Sequence, residues 1–121
     1  MITDAERYVM EALWDRNPAS ADELLEVLCA KHDWAPPTVR TLLNRLLKKG
    51  AIRAERSGRK FLYSPVSRRE DYIEEESQSF LDRVFNGEVS ALVSHFSTSQ
   101  KLSAKDIQAL REIIERLEND A

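Results

Sequence analysis

Hydrophobic and polar positions follow two different periods along this chain, and the change falls at Gly50. Before it, apolar residues recur three and four apart: Val9 and Leu13 after "TDAE" at 3–6, then Leu24, Val27 and Leu28 after "SADE" at 20–23. Val39, Leu42, Leu43, Leu46 and Leu47 line one side of "TVRTLLNRLLKKG" at 38–50. Such spacing gathers each set on one helical face. The period returns in Ile73, Phe80, Leu81 and Val84 after "SRRE" at 67–70, and in Ile107, Leu110, Ile114 and Leu117 after "SAKD" at 103–106. In all four tetrads a hydroxyl stands three residues before an acid, the pairing that satisfies backbone N–H groups at a helix start. Helices are therefore expected to open at those four places. A fifth runs from Ala35 or Pro36 to Gly50, because prolines are tolerated in a first turn and glycine supplies the stop.

After Gly50, "AIRAER" and "KFLYSPV" flank the short polar "SGR" and read as the two strands of a β-hairpin. Three helices followed by a basic hairpin is the layout of a winged helix-turn-helix. The expected fold is mainly α with a small β-hairpin: a winged helix-turn-helix domain over residues 1–70 and a helical region over 71–121.

Charge sharpens this picture. The net charge of −3 conceals a segregation: residues 1–37 carry three basic and eight acidic groups, 38–69 ten and one, and 70–121 five and twelve. A basic block between acidic ones is the footprint of a polyanion-binding surface. At about 100° per residue, Arg40, Thr41, Asn44, Arg45 and Lys48 cluster opposite the apolar stripe of the fifth helix. Arg can bond bidentately to guanine and Asn to adenine, while Thr meets a base edge or a thymine methyl. Lys48 and Lys49, flexible point charges at a helix end, suit phosphate. Thr38 completes the expected DNA-binding set on the recognition helix at about 36–49, and Arg56, Arg59 and Lys60 complete it on a wing at about 52–65. A different class fits the same layout: a winged-helix protein-interaction subunit without specific DNA binding.

Residues 71–121 form too small a unit to bury their apolar side chains alone, so a homodimer is expected, with Phe80, Leu81, Val84, Phe85, Leu110, Ile113, Ile114 and Leu117 between subunits. Two recognition helices would then meet two half-sites of an operator with dyad symmetry.

The run "WAPPTVRTLLNRLLKKGAIRAERSGRKFLYSPV", with "TDAE", "ALW" at 12–14 and "ESQSFLDRVFNG" at 76–87, resembles the penicillinase-repressor and methicillin-resistance-repressor family of bacterial winged-helix repressors. The resemblance implies an N-terminal domain that binds double-stranded operator DNA, a C-terminal homodimerisation part, and an antibiotic response. Repression in that family ends when a sensor-linked metalloprotease pathway leads to cleavage in the dimerisation part. The matching bond here is His95–Phe96, where the family has Asn-Phe. Many members have Ser or Thr where Ala35 stands, and alanine has no oxygen to cap the recognition helix. Copper-responsive relatives carry paired cysteines near the C-terminus, and this chain has Cys29 alone.

Other function classes find no support. His32 and His95 lie in no metal-binding spacing, and phosphate loops and nucleophile motifs are absent, so no enzyme activity, cofactor or metal is expected. One cysteine forms neither an internal disulfide nor a CxxC zinc site, and Cys29 reads as a small buried hydrophobe. No apolar run approaches the ~20 residues that span a bilayer. "MITDAERYVM" carries no export signal, so a cytoplasmic protein without a membrane partner is expected.

Overall fold

A computed structural model describes residues 2–121. In chain order the elements are α1 (Asp4–Asp15), β1 (Ala19–Ser20), α2 (Ala21–His32), α3 (Pro36–Lys49), β2 (Ile52–Ser57), β3 (Lys60–Pro65), α4 (Arg69–Phe85), α5 (Val89–Thr98) and α6 (Ala104–Asp120). The chain divides into two compact units, Met1–Glu74 and Glu75–Ala121.

Three of the four hydroxyl–acid tetrads form reciprocal caps. The Glu6 amide donates to Thr3 Oγ1 at 3.2 Å and the Thr3 amide to Glu6 Oε1 at 2.8 Å; Ser20/Glu23 and Ser103/Asp106 repeat the exchange. The fourth tetrad behaves differently. Because α4 begins at Arg69, Ser67 stands two residues ahead of the helix, and its carbonyl accepts the Trp14 indole N–H at 2.9 Å. Trp14 also packs on Tyr72, with ring centroids 5.1 Å apart, and Arg69 Nε pairs with Glu11 Oε2 at 2.9 Å. These contacts hold the first turn of α4 on α1, within the first unit.

In the first unit, Val9, Met10 and Leu13 of α1, Leu24 and Leu28 of α2, and Val39, Leu42, Leu43 and Leu46 of α3 form one core with Ala19 and Ile52. Cys29 packs half-buried against it. Val27, grouped with Leu24 and Leu28 by periodicity, is 46% exposed, because α2 meets the core along the narrower line of those two leucines. Gly50 takes φ 74° and ends α3, with its amide bonded to Leu46 and Leu47 carbonyls.

The hairpin gains a strand that periodicity did not signal. Ala19 and Ser20 pair antiparallel with Tyr63 and Leu62, giving the order β1-β3-β2. Ser20 therefore both ends a strand and caps α2. A two-residue strand is too short to leave a period.

The second unit, taken alone, has no buried residue: Phe80 is 42% exposed, Val84 54% and Leu117 66%. Its α5 follows Glu88, which makes no side-chain cap bond, so no tetrad announces it.

The core of the first unit generates a prediction. Leu46 is fully buried, so Leu46→Ala should lower unfolding stability by ~2–5 kcal/mol, through lost transfer energy and the cavity left behind. Urea titration followed by Trp14 and Trp34 fluorescence would read it.

Candidate nucleic-acid interface

Burial of Val39, Leu42, Leu43 and Leu46 turns the other side of α3 outward, and Thr38, Arg40, Thr41, Asn44, Arg45 and Lys48 all stand exposed on it. The helix start has no side-chain cap at Ala35, and Pro36 and Pro37 occupy its first two positions. Prolines lack the N–H groups that a cap would satisfy, so the missing hydroxyl leaves fewer orphan donors. Thr41 Oγ1 donates back to the Pro37 carbonyl at 2.9 Å. Its hydroxyl proton is thereby committed within the helix, leaving the γ-methyl and the oxygen lone pairs for other contacts.

In the wing, a turn at Gly58 and Arg59 joins β2 to β3, with Ser57 opposite Lys60 and Gly58 at φ 65°. Arg56 braces this tip: its Nε donates to the Gly58 carbonyl at 3.2 Å and its guanidinium lies 6.0 Å from the Phe61 ring centroid. Arg59 and Lys60 are exposed at the tip.

The helix and the wing meet. Arg40, Arg59 and Lys60 line one cavity of about 260 Å³ together with Ser20, Ala21, Asp22, Phe61 and Tyr63. The β1–β3 pairing brings the start of α2 to this place, beside the wing. Three cations and the N-terminal end of a helix favour an anion there, opposed by Asp22 in the lining and by Glu23, which is close enough to feel the Lys60 charge. Sequence reasoning missed Ser20, Ala21, Asp22, Phe61 and Tyr63. Only the Ser20 cap was visible in advance, and a cap says nothing of which strand lies beside it.

Lys49 is exposed as well, with 36% of its side chain in solvent, and it carries an ion pair to α1. Its Nζ lies 2.5 Å from Glu6 Oε1, and Glu6 is fully buried, with Oε2 lacking a hydrogen-bond partner. Burial by itself would push the Glu6 carboxyl up, and it is the largest single influence. The hydrogen bond from Lys49, those with Thr3, and the Lys49 charge together outweigh it and hold the carboxyl below its ordinary 4.5.

Among the described residues no group of three or more His, Cys, Asp or Glu side chains could hold a metal ion, and no helix is long and apolar enough to cross a membrane. His95 and Phe96 are exposed within α5, their rings 5.4 Å apart.

A three-helix core that presents α3 and a basic wing on one side defines a winged helix-turn-helix protein of the transcriptional-repressor class. The chain belongs to the penicillinase repressor family, whose profile matches residues 2–116. It is 38% identical to the penicillinase repressor of Bacillus licheniformis over 118 residues, which cover 98% of this chain and 92% of that protein. To the methicillin resistance regulatory protein MecI of Mammaliicoccus sciuri it is 34% identical over 115 residues, 95% of this chain and 94% of the relative. The solution structure of monomeric Bacillus licheniformis BlaI in complex with the blaP half-operator superposes with a TM-score of 0.55 at 38% identity, covering 60% of this chain and 89% of that one. This is a family of repressors, not of enzymes.

The Glu6 environment fixes the sign of a pH effect. A carboxyl depressed in the folded state contributes stability that is fully present above its unfolded value and lost as pH falls through its folded one. Unfolding stability should therefore drop below about pH 4.5, and Glu6→Gln should make that drop shallower while lowering stability at neutral pH. Urea midpoints between about pH 3 and 7 would check it; an unchanged acid slope in the variant would remove Glu6 from the account.

Proposed function

We propose that the chain is a homodimeric, sequence-specific transcriptional repressor that lays α3 in the major groove of an operator with dyad symmetry and rests its wing on the neighbouring backbone. The observation that carries this reading is the continuous basic surface formed by the exposed face of α3 and the wing tip, joined through the cavity that Arg40 shares with Arg59 and Lys60. The half-operator complex of a relative at 38% identity supports the same ligand class.

Roles follow from side-chain chemistry. Asn44 and Arg45, exposed at mid-helix, suit adenine and guanine edges. With its hydroxyl proton committed to Pro37, Thr41 offers its methyl to a thymine methyl group. Arg40, Arg59 and Lys60 converge on one phosphate, Arg56 stiffens the tip and adds charge, and Thr38 and Lys48 hold backbone at the two ends of the helix.

The second unit supports the dimer by what it lacks. Phe80, Val84, Ile113, Ile114 and Leu117 are exposed, and Leu81, Phe85 and Leu110 only half-buried. A second copy of the same surface would bury them and carry a second α3 to the other half-site. Relief of repression would follow a cut at His95–Phe96 by a sensor-linked metalloprotease. Proteases act on extended backbone, and α5 is a ten-residue helix with no side-chain cap, so local opening there is cheap. Such a cut detaches α6 without touching α3 or the wing.

Base reading is tested by competition between a duplex selected from a random pool by the full-length protein and a random duplex at matched salt. Asn44→Ala and Arg45→Ala should each weaken binding to the selected duplex by ~1–3 kcal/mol and leave the fold intact. Neutralising Arg59 and Lys60 should instead weaken both duplexes alike and flatten the salt dependence. If the unaltered protein showed no preference between the duplexes, the protein-interaction reading would take its place.

Avidity is tested by shortening the chain. A form ending at Glu74 keeps the core and the Trp14–Tyr72 packing, so it should fold as a monomer and bind the selected dyad roughly 10²–10⁴-fold more weakly. Sedimentation and titration would read this, and a shortened form that stays dimeric or binds as tightly would overturn the assignment of the second unit.

A further inference from the structure

We infer that Lys49 and Glu6 form a positioning device for the recognition helix, with Lys49 setting the axial placement of α3 on α1 and making no contact with DNA. This rests on the repressor reading above. By charge and sequence position Lys49 looks like its neighbour Lys48, a cation in the last turn of α3. Both side chains are exposed, Lys49 with 36% of its area in solvent, and what sets Lys49 apart is that its ammonium meets a carboxylate that no solvent reaches.

Helix capping does not explain why that carboxylate is buried. Glu6 closes the cap of α1, but Glu23 closes the same cap on α2 with its side chain 35% exposed, and Asp106 does so on α6 while exposed. Stability does not explain it either. A desolvated carboxylate with one oxygen unpartnered costs more than an apolar side chain in the same place, and a buried ion pair is weak support for a fold. What such a pair does supply is a single allowed geometry, because a slip along either helix strands a charge away from water.

α3 needs such a constraint. Its apolar stripe fixes rotation about the helix axis, but leucines packed on leucines tolerate small shifts along it. At its N-terminal end Ala35 provides no side-chain bond, so the last turn is where the axial position can be pinned. Lys49 reaches from that turn to Glu6, three residues after the Thr3 cap that starts α1. Asn44 and Arg45 lie one turn away and would shift with it.

The test compares Lys49→Met and Lys48→Met in the full chain, using the pool-selected duplex and a random duplex over a range of salt, at a temperature where each variant is fully folded. Lys48→Met should reduce the slope of log affinity against log salt by about 0.9 per protomer, the loss of one phosphate contact, and weaken both duplexes. Lys49→Met should leave that slope and the random-duplex affinity unchanged while its preference for the selected duplex falls roughly 5- to 150-fold, the worth of one bidentate base contact. Lys49→Arg should retain the preference, and Glu6→Gln should lower it with the slope unchanged, although Glu6 lies outside the exposed face. A slope reduced by about 0.9 per protomer in Lys49→Met would overturn the proposal and make Lys49 a phosphate contact. Full preference in both Lys49→Met and Glu6→Gln would overturn it as well. Absence of any preference in the unaltered protein would instead overturn the repressor reading on which this role depends.

Discussion

Burial of Val39, Leu42, Leu43 and Leu46 against α1 and α2 fixes which way α3 faces, and the functional surface follows from that single packing constraint. Four apolar side chains on one stripe leave only one rotation of the helix that keeps them from water. The same rotation turns Arg40, Thr41, Asn44 and Arg45 outward together. Exposed polar and buried apolar residues are interleaved in ones and twos along α3, so a residue on the wrong side would cost either a surface group or a part of the core. Gly50 then ends the helix where the chain must reverse into β2. The wing is placed by the same core, through Ile52, and by the short pairing of β1 with β3.

Features that repeat with a period, or that depend on neighbours three or four apart, could be read in advance. The five helices with a tetrad or a stripe, the hairpin, the glycine stop and the outward face of α3 are of this kind. Whatever depends on a partner far along the chain could not. Residue 19 meets 63, Trp14 meets Ser67 and Tyr72, and Lys49 meets Glu6, and none of these pairs leaves a local trace. The last case is the most instructive. Lys48 and Lys49 are chemically identical, adjacent and both exposed, but successive helical positions point about 100° apart, and that angle brings the Lys49 ammonium to a buried carboxylate. The Ser67 tetrad teaches the converse lesson: a local signal was present, and a distant indole took the serine's carbonyl and left the helix to start later.

The two units solve the burial problem differently. Met1–Glu74 holds eleven buried hydrophobic residues around one centre, enough for a small domain to fold by itself. Glu75–Ala121 holds none, although its helices carry phenylalanines, leucines and isoleucines at core spacing. A segment that keeps an apolar face in water gains stability from association, and under the proposed homodimer whatever separated the copies would also remove their joint hold on DNA. Under the same proposal, a cut in the second unit would act as a switch while leaving every residue of α3 and the wing in place.

Charge placement adds orientation to affinity. Eight acids in residues 1–37 belong to the same winged-helix unit as the ten basic groups of 38–69, and they are concentrated in and around α1 and α2, the helices on which α3 lies. A polyanion approaching α1 or α2 from outside is repelled, while one approaching α3 and the wing is drawn in. The unit therefore carries its own steering dipole, which favours productive encounters beyond what net charge would allow. A net negative chain also has little affinity for DNA presented to the wrong face, and under the proposed function that restraint would leave the choice of site to the exposed residues of α3.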